Sequence, residues 1–154
     1  LNQEGVAVEA GRIMLDRMNT LAMGGSDFAF ESTLASRSFT RIIRECKQRG
    51  YVFHLVYIWL GSVALAQQRV RARVAAGGHS IPPRTVARRY FRSLQNLFSL
   101  YIPLADSFLA FDNSTPVLRL VAERKVGEIE AGVFDRQTWR SMVILGESGA
   151  QGLS

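Results

Sequence analysis

The spacing of apolar residues changes period along the chain, and each change marks an element. From Glu4 to Met23, Val6, Ala10, Ile13, Met14, Met18 and Leu21 recur at steps of three and four, which predicts an amphipathic helix. Gly24-Gly25 stops it. Asp27 to Glu31 reads as a short strand. Thr33 or Ser36 is placed to cap a second helix, with Phe39, Ile42, Ile43 and Cys46 inward and Gly50 as its terminator. Tyr51 to Leu60, YVFHLVYIWL, has no clean alternation and is apolar on both sides. That pattern predicts a strand covered by helices on both faces, as in a parallel sheet.

Ser62 is a cap for a third helix carrying Leu65, Val70 and Val74, which ends at Gly77-Gly78. After the loop GGHSIPP a long helix runs from about Pro83 to Tyr101. Val86, Tyr90, Leu94, Leu97, Phe98 and Tyr101 face inward, and Pro103 ends it. Ser107 to Phe111 is a further strand, Val117 to Glu123 another, and Trp139 to Leu145 a last helix or a docking strand. The small-residue stretch 146–154 reads as a mobile tail. Strands alternating with helices make an α/β domain with a mainly parallel sheet flanked by helices. Ligands in such sheets bind outside the carboxyl ends of the strands. Glu31-Ser32-Thr33 and Asp112-Asn113-Ser114 both fall at those ends and mark a site rim.

Composition narrows this picture. A chain of 154 residues builds one domain with a real core. Cys46 is alone, so no internal disulfide forms and a reducing, cytoplasmic setting is expected. The start, LNQEGVAVEAG, has no signal-peptide pattern, and its lack of an initiator Met suggests a fragment. The longest apolar stretch, Tyr51 to Ala66, is interrupted and too short for a membrane span. Of 19 basic residues only Lys47 and Lys125 are lysines, so arginine supplies the net charge of +6. Arginines concentrate between Arg69 and Arg92. Such a patch suits nucleic acid, a membrane surface, a grip on phosphate oxygens, or simply a solvated helix face.

Glu31 with Thr33 can orient a substrate hydroxyl, or Thr33 and Ser32 can merely cap the next helix; both can hold at once. In RVRARVAAGGHSIPPRTVARRY, Arg69 and Arg73 share one helical face, and Arg88 and Arg92 share another with Arg89 beside them. Two basic arms hinged at glycines can close over a polyphosphate. Surface arginines flanking a loop are the plainer alternative. His79 has no companion at ligand spacing, so no metal set is expected, and Cys46 reads as core. No G-x-S-x-G occurs. The chain also has no Gly-Lys pair, so it contains no G-x-x-x-x-G-K-[ST] phosphate loop.

Five stretches in collinear order between Glu4 and Ser114 resemble the zeta-toxin-like P-loop kinases: EAGRIMLDRM, FAFESTLASRSF, GYVFHLVYIWL, RVRARVAAGGHSIPPRTVARRYFRSLQNLF and YIPLADSFLAFDNS. The GGHxIP segment followed by RRYxRSLxNL is the most specific of them. The resemblance implies a kinase fold that uses ATP and Mg2+ in the complete protein. Zeta toxins in the strict sense phosphorylate a hydroxyl of UDP-N-acetylglucosamine and are held inactive by an antitoxin. Carried over, Glu31, Ser32 and Thr33 would bind substrate, Arg73, Arg88 and Arg89 would be lid residues on the phosphates, and Asp112 and Asn113 would lie near the nucleotide.

By the same resemblance, the family's first strand, normally central in the sheet, its phosphate loop and its presumed base would lie before Leu1. No catalytic residue is therefore assigned. Residues 1–145 read as an incomplete kinase domain, inactive as given. The rival readings are a non-catalytic remnant that binds protein or self-associates, and, ranked last, a nucleic-acid binder.

Overall fold

Four strands form one sheet in the order β1 (His54–Trp59), β2 (Ser107–Asp112), β3 (Arg119–Arg124) and β4 (Gly132–Val133) in the computed structural model, which describes residues 3–148. The helices are α1 (Gln3–Met23), α2 (Phe39–Gln48), α3 (Val63–Ala75), α4 (Pro83–Asn96), α5 (Ile102–Leu104) and α6 (Arg136–Ser148). The α/β class with flanking helices holds, but the sheet is mixed rather than mainly parallel. β1 and β2 are parallel, while β2 with β3 and β3 with β4 are antiparallel. Chain length explains the difference. The stretch from β1 to β2 contains α3 and α4, enough for a crossover, whereas 113–118 and 125–131 are too short for one.

Two further expectations change. Asp27–Glu31 is not a strand: it runs without a ladder partner, although Phe28 and Phe30 still pack inward on Tyr51 and Phe39. Among the described residues helices cover one sheet face, not two. On that face Leu55, Trp59, Phe108 and Ala110 are buried, Trp139 of α6 stacks on Phe108 with centroids 5.9 Å apart, and Trp59 donates to Tyr90 of α4 at 3.0 Å. On the other face Val56 and Ile58 are 58% and 55% exposed, and their register partners Leu109 and Phe111 are half-buried.

The helices follow their patterns with local exceptions. Phe39, Ile42, Ile43 and Cys46 of α2 are all buried, as the spacing predicts. Among the described side chains of α1 only Met18 and Ala22 are buried, Ile13 is exposed, and the Val6 side chain lies outside the described residues. Ser62 caps α3, its Oγ accepting from Leu65 N at 3.1 Å. Past Asn96 the long helix continues as a π-turn, Leu97–Tyr101, into α5. Pro103 offers no N–H and crowds the carbonyl four residues back, and a widened turn just ahead of it relieves both. The stretch expected to be a tail begins inside α6, where Gly146 is buried against Leu94 and Phe98; residues 149–154 lie outside the described residues.

Candidate functional site

The segment between α1 and α2 is held in an unusual conformation. Leu34 has φ 55°, a left-handed value that costs a branched residue about 1–2 kcal/mol. Three hydrogen bonds and the burial of Leu34 offset that cost. Ser32 Oγ accepts from Leu34 N at 3.0 Å, Asn96 Nδ2 donates to Leu34 O at 2.7 Å, and Tyr101 Oη donates to Ser36 O at 2.6 Å. Burial pushes the Tyr101 hydroxyl up to about 12, so it remains a donor at neutral pH. Asn96 and Tyr101 bracket the π-turn. This pinning leaves Glu31, Ser32 and Thr33 exposed along one rim.

Across that rim lies α4. A cleft of about 480 Å³ has Glu31, Ser32 and Thr33 on one side and Arg88, Arg89 and Arg92 on the other, with Met14 and Phe39 also lining it. Arg88 and Arg92, one turn apart, present their guanidinium groups together. Among the described residues none of the three is in an ion pair, so their charge is available to an anionic ligand. Arg92 was not among the sequence candidates, although its shared face with Arg88 was visible; the helical step that linked them was the usable signal.

A second, larger cavity of about 900 Å³ opens beside the cleft, lined by Arg73 and Arg89 together with Glu31–Leu34 and β1. The glycine loop sets Arg73. Gly78 N donates to Arg73 O at 2.9 Å, and a Cβ on Gly78 would stand 2.9 Å from Arg73 Cγ and 3.0 Å from Arg73 O. Only glycine fits there without moving that arm of the loop.

Asp112 and Asn113 line neither cavity. Asp112 is 3% exposed, takes Arg119 Nη2 at 2.6 Å and Ser114 N at 2.9 Å, and also accepts the Ser114 hydroxyl. Burial alone would raise its carboxyl, but the bonds from Ser114 and Arg119 outweigh burial and hold it below the ordinary value. Ser114 Oγ accepts from Gly61 N at 2.7 Å, and Asn113 O accepts from Arg69 at 3.2 Å. This network ties the end of β2 to the approach to α3. Arg119 gave no sequence signal, because its pairing with Asp112 depends on the antiparallel register.

The geometry thus joins Glu31, Ser32, Thr33, Arg73, Arg88 and Arg89, with Arg92 added, and leaves Asp112 and Asn113 in a structural network. Arg73 and Arg89 line one cavity, where two guanidinium groups can grip an anionic group. A magnesium ion does not fit the described residues in the same way. The carboxylate nearest the carboxyl ends of the strands, Asp112, is already engaged by Arg119.

The family model described as Zeta toxin matches residues 2–128. A protein of Haemophilus influenzae described as an uncharacterized protein is 32% identical over 83 residues, covering 54% of this chain and 59% of that protein. The chain therefore spans about three-fifths of the curated relative that it matches. No solved structure matches the chain significantly.

Proposed function

Because the chain belongs to the zeta toxin family, we propose that it carries the acceptor cleft and the lid arginines of an ATP-dependent small-molecule kinase. The observation behind this reading is the cleft in which the Glu31–Thr33 rim faces Arg88, Arg89 and Arg92. A sugar nucleotide has both parts such a cleft would hold, a hydroxyl for Glu31 and Thr33 and a diphosphate for the arginines. A UDP-amino sugar is the favoured acceptor. In the reaction the acceptor oxygen bonds to the γ-phosphorus of ATP, the bond to the β-phosphate oxygen breaks, ADP leaves, and the acceptor proton passes to a base outside these residues. Glu31 orients the hydroxyl, and Arg73 and Arg89 neutralise charge on the transferring group. ATP with Mg2+ supplies the phosphoryl group in the complete protein, and an antitoxin protein is the expected regulator.

The sequence holds no Gly-Lys pair, so transfer requires a phosphate loop from outside these residues. The 154-residue chain alone is expected to transfer no phosphate from radiolabelled ATP to UDP-N-acetylglucosamine; labelled product would overturn this reading. In the complete protein, Arg73→Ala should lower kcat at least ten-fold with an unchanged melting temperature. Unchanged turnover would remove Arg73 from the lid. The rival reading, a non-catalytic module that self-associates, draws on β1 standing at the edge of the sheet. It requires a dimer in light scattering.

A further inference from the structure

Past the end of β3, residues Lys125–Glu130 form a tip whose chemistry is the reverse of the basic surface. Two bonds close its turn: Glu128 N donates to Lys125 O at 3.1 Å, and Lys125 N donates to the Glu128 carboxylate at 2.9 Å. Gly127, at φ 85°, supplies the left-handed residue that this turn needs. The turn holds Ile129 out into solvent at 93% exposure, more than any other large apolar side chain among the described residues. Glu128 and Glu130 flank it, both exposed. Lys125 lies 3.8 Å from Glu123, and Glu130 is in no ion pair among the described residues. A chain of net charge +6 thus carries one preformed acidic tip with an apolar point.

The cleft beside α4 is the complement of that tip. Met14 and Phe39 give it an apolar lining, and Arg88, Arg89 and Arg92 give it unpaired positive charge. Three residues of chain occupy roughly 10 by 5 by 10 Å, which the cleft of about 480 Å³ admits. One chain cannot join its own tip to its own cleft. Tyr90 of α4 donates to Leu60 O and accepts from Trp59 Nε1, which puts the arginines at the carboxyl end of β1. Lys125 follows Arg124, whose register partner Phe108 lies at the amino end of β2, parallel to β1. A six-residue strand, about 20 Å long, therefore separates the two sites, and the closed turn does not reach across it. A second copy has no such limit.

We propose that copies of the chain associate head to tail, the Lys125–Glu130 tip of one seated in the α4 cleft of the next. Ile129 packs on Met14 and Phe39, while the Glu130 carboxylate and the second Glu128 oxygen meet Arg88 and Arg92. The contact joins two different surfaces, so every pair keeps one free tip and one free cleft, and growth past two copies stays open. A tip this small buries less than the ~800 Å² per partner of a standard interface, so association shows only at high concentration. The pairing needs no catalytic reading. Its consequence, that a seated tip shuts the acceptor out, rests on the kinase reading.

The test is light scattering at rising concentration of the chain, of its Ile129→Ser and Arg92→Glu variants, and of an equimolar mixture of the two variants. Arg88→Glu serves as an independent cleft variant. The chain should grow past a dimer, and each variant alone should associate at least ten-fold more weakly at an unchanged melting temperature. The mixture should regain association but stop at two copies. The intact tip of Arg92→Glu fits the intact cleft of Ile129→Ser, and no second intact pair remains. Saturating UDP-N-acetylglucosamine should disperse the assembly of the unaltered chain. A monomer at every concentration overturns the proposal, whether or not the sugar nucleotide binds. Assembly that the variants leave unchanged overturns it too, as a symmetric contact through β1 would give, and so does a mixture that regains nothing. Assembly that passes the mixing test yet persists in the sugar nucleotide upholds the contact and overturns the acceptor reading instead.

Discussion

Asp112→Asn separates the structural role assigned to this carboxylate from the nucleotide-proximal role that the family resemblance implied. The amide is nearly isosteric, so no cavity opens. One oxygen still serves Ser114, but the amide nitrogen turns a donor toward the Arg119 guanidinium, which now donates at 2.6 Å to a carboxylate. Hydrogen bonds to charged groups are worth about 1.5–3 kcal/mol, and breaking a fully buried pair costs about 3–5 kcal/mol. The Arg119 side chain is 52% exposed, so water screens the loss and about 2 kcal/mol is the expected cost at neutral pH.

At about 2–4 °C per kcal/mol for a chain of this size, the melting temperature should fall by about 4–8 °C. The pH dependence has a definite sign. The folded-state pKa of Asp112 is depressed, so its contribution is complete above the ordinary carboxylate value of about 3.9 and is lost as pH falls through the folded value. Asp106 is depressed too, but both proteins share it and it cancels in the difference; Asp135 also faces Arg119 and is raised by the Asp112 charge, so its carboxyl falls further in the variant and offsets part of the gap. Circular-dichroism melts from pH 7 down to pH 3 should therefore show a gap at neutral pH that narrows on acidification. No gap at pH 7, or a gap that persists unchanged at pH 3, would refute the reasoning.

Other substitutions probe the scaffold of the cleft. Asn96→Ala leaves the buried Leu34 carbonyl without its partner, and should cost about 1–3 kcal/mol in urea unfolding; an unchanged midpoint would mean that the bond does not hold the loop. Gly146→Ala gains about 1 kcal/mol of helix propensity. Its Cβ would, however, stand 3.0 Å from the Phe98 ring and 3.2 Å from Leu94 O, and overpacking of about 1–3 kcal/mol should leave a net loss. A raised melting temperature would show that α4 and α6 separate freely. Ser62→Ala should cost about 1 kcal/mol and speed amide exchange in the first turn of α3, most visibly at Leu65. Unchanged exchange there would remove the cap.

Much of this molecule was legible where one short-range rule governs. The buried stripe of α2 and the Ser62 cap follow from periodicity and capping chemistry, and the strands expected at Tyr51–Leu60 and Ser107–Phe111 exist with shifted limits, His54–Trp59 and Ser107–Asp112. Asp27–Glu31 failed because a strand is defined by its partner, and the neighbouring position toward β1 is an open cavity. The direction of β3 failed because residue pattern does not fix strand direction; the six residues from Asn113 to Leu118 do. The same antiparallel register hid Arg119 and moved Asp112 from a site rim into an ion pair. The rim residues Glu31–Thr33 and the arginines of α4 were legible as residue types. Their meeting across one cleft was not, because it depends on Leu34, Asn96 and Tyr101 acting together.

The cleft itself is best tested by isothermal titration of UDP-N-acetylglucosamine into the chain, its Arg89→Ala variant and its Glu31→Gln variant, with melting temperatures measured alongside. The account predicts saturable binding to the chain, a loss of at least ten-fold in Arg89→Ala and a smaller loss in Glu31→Gln, all at equal melting temperature. Equal affinity across the three folded proteins, or no saturable binding to any of them, would contradict it.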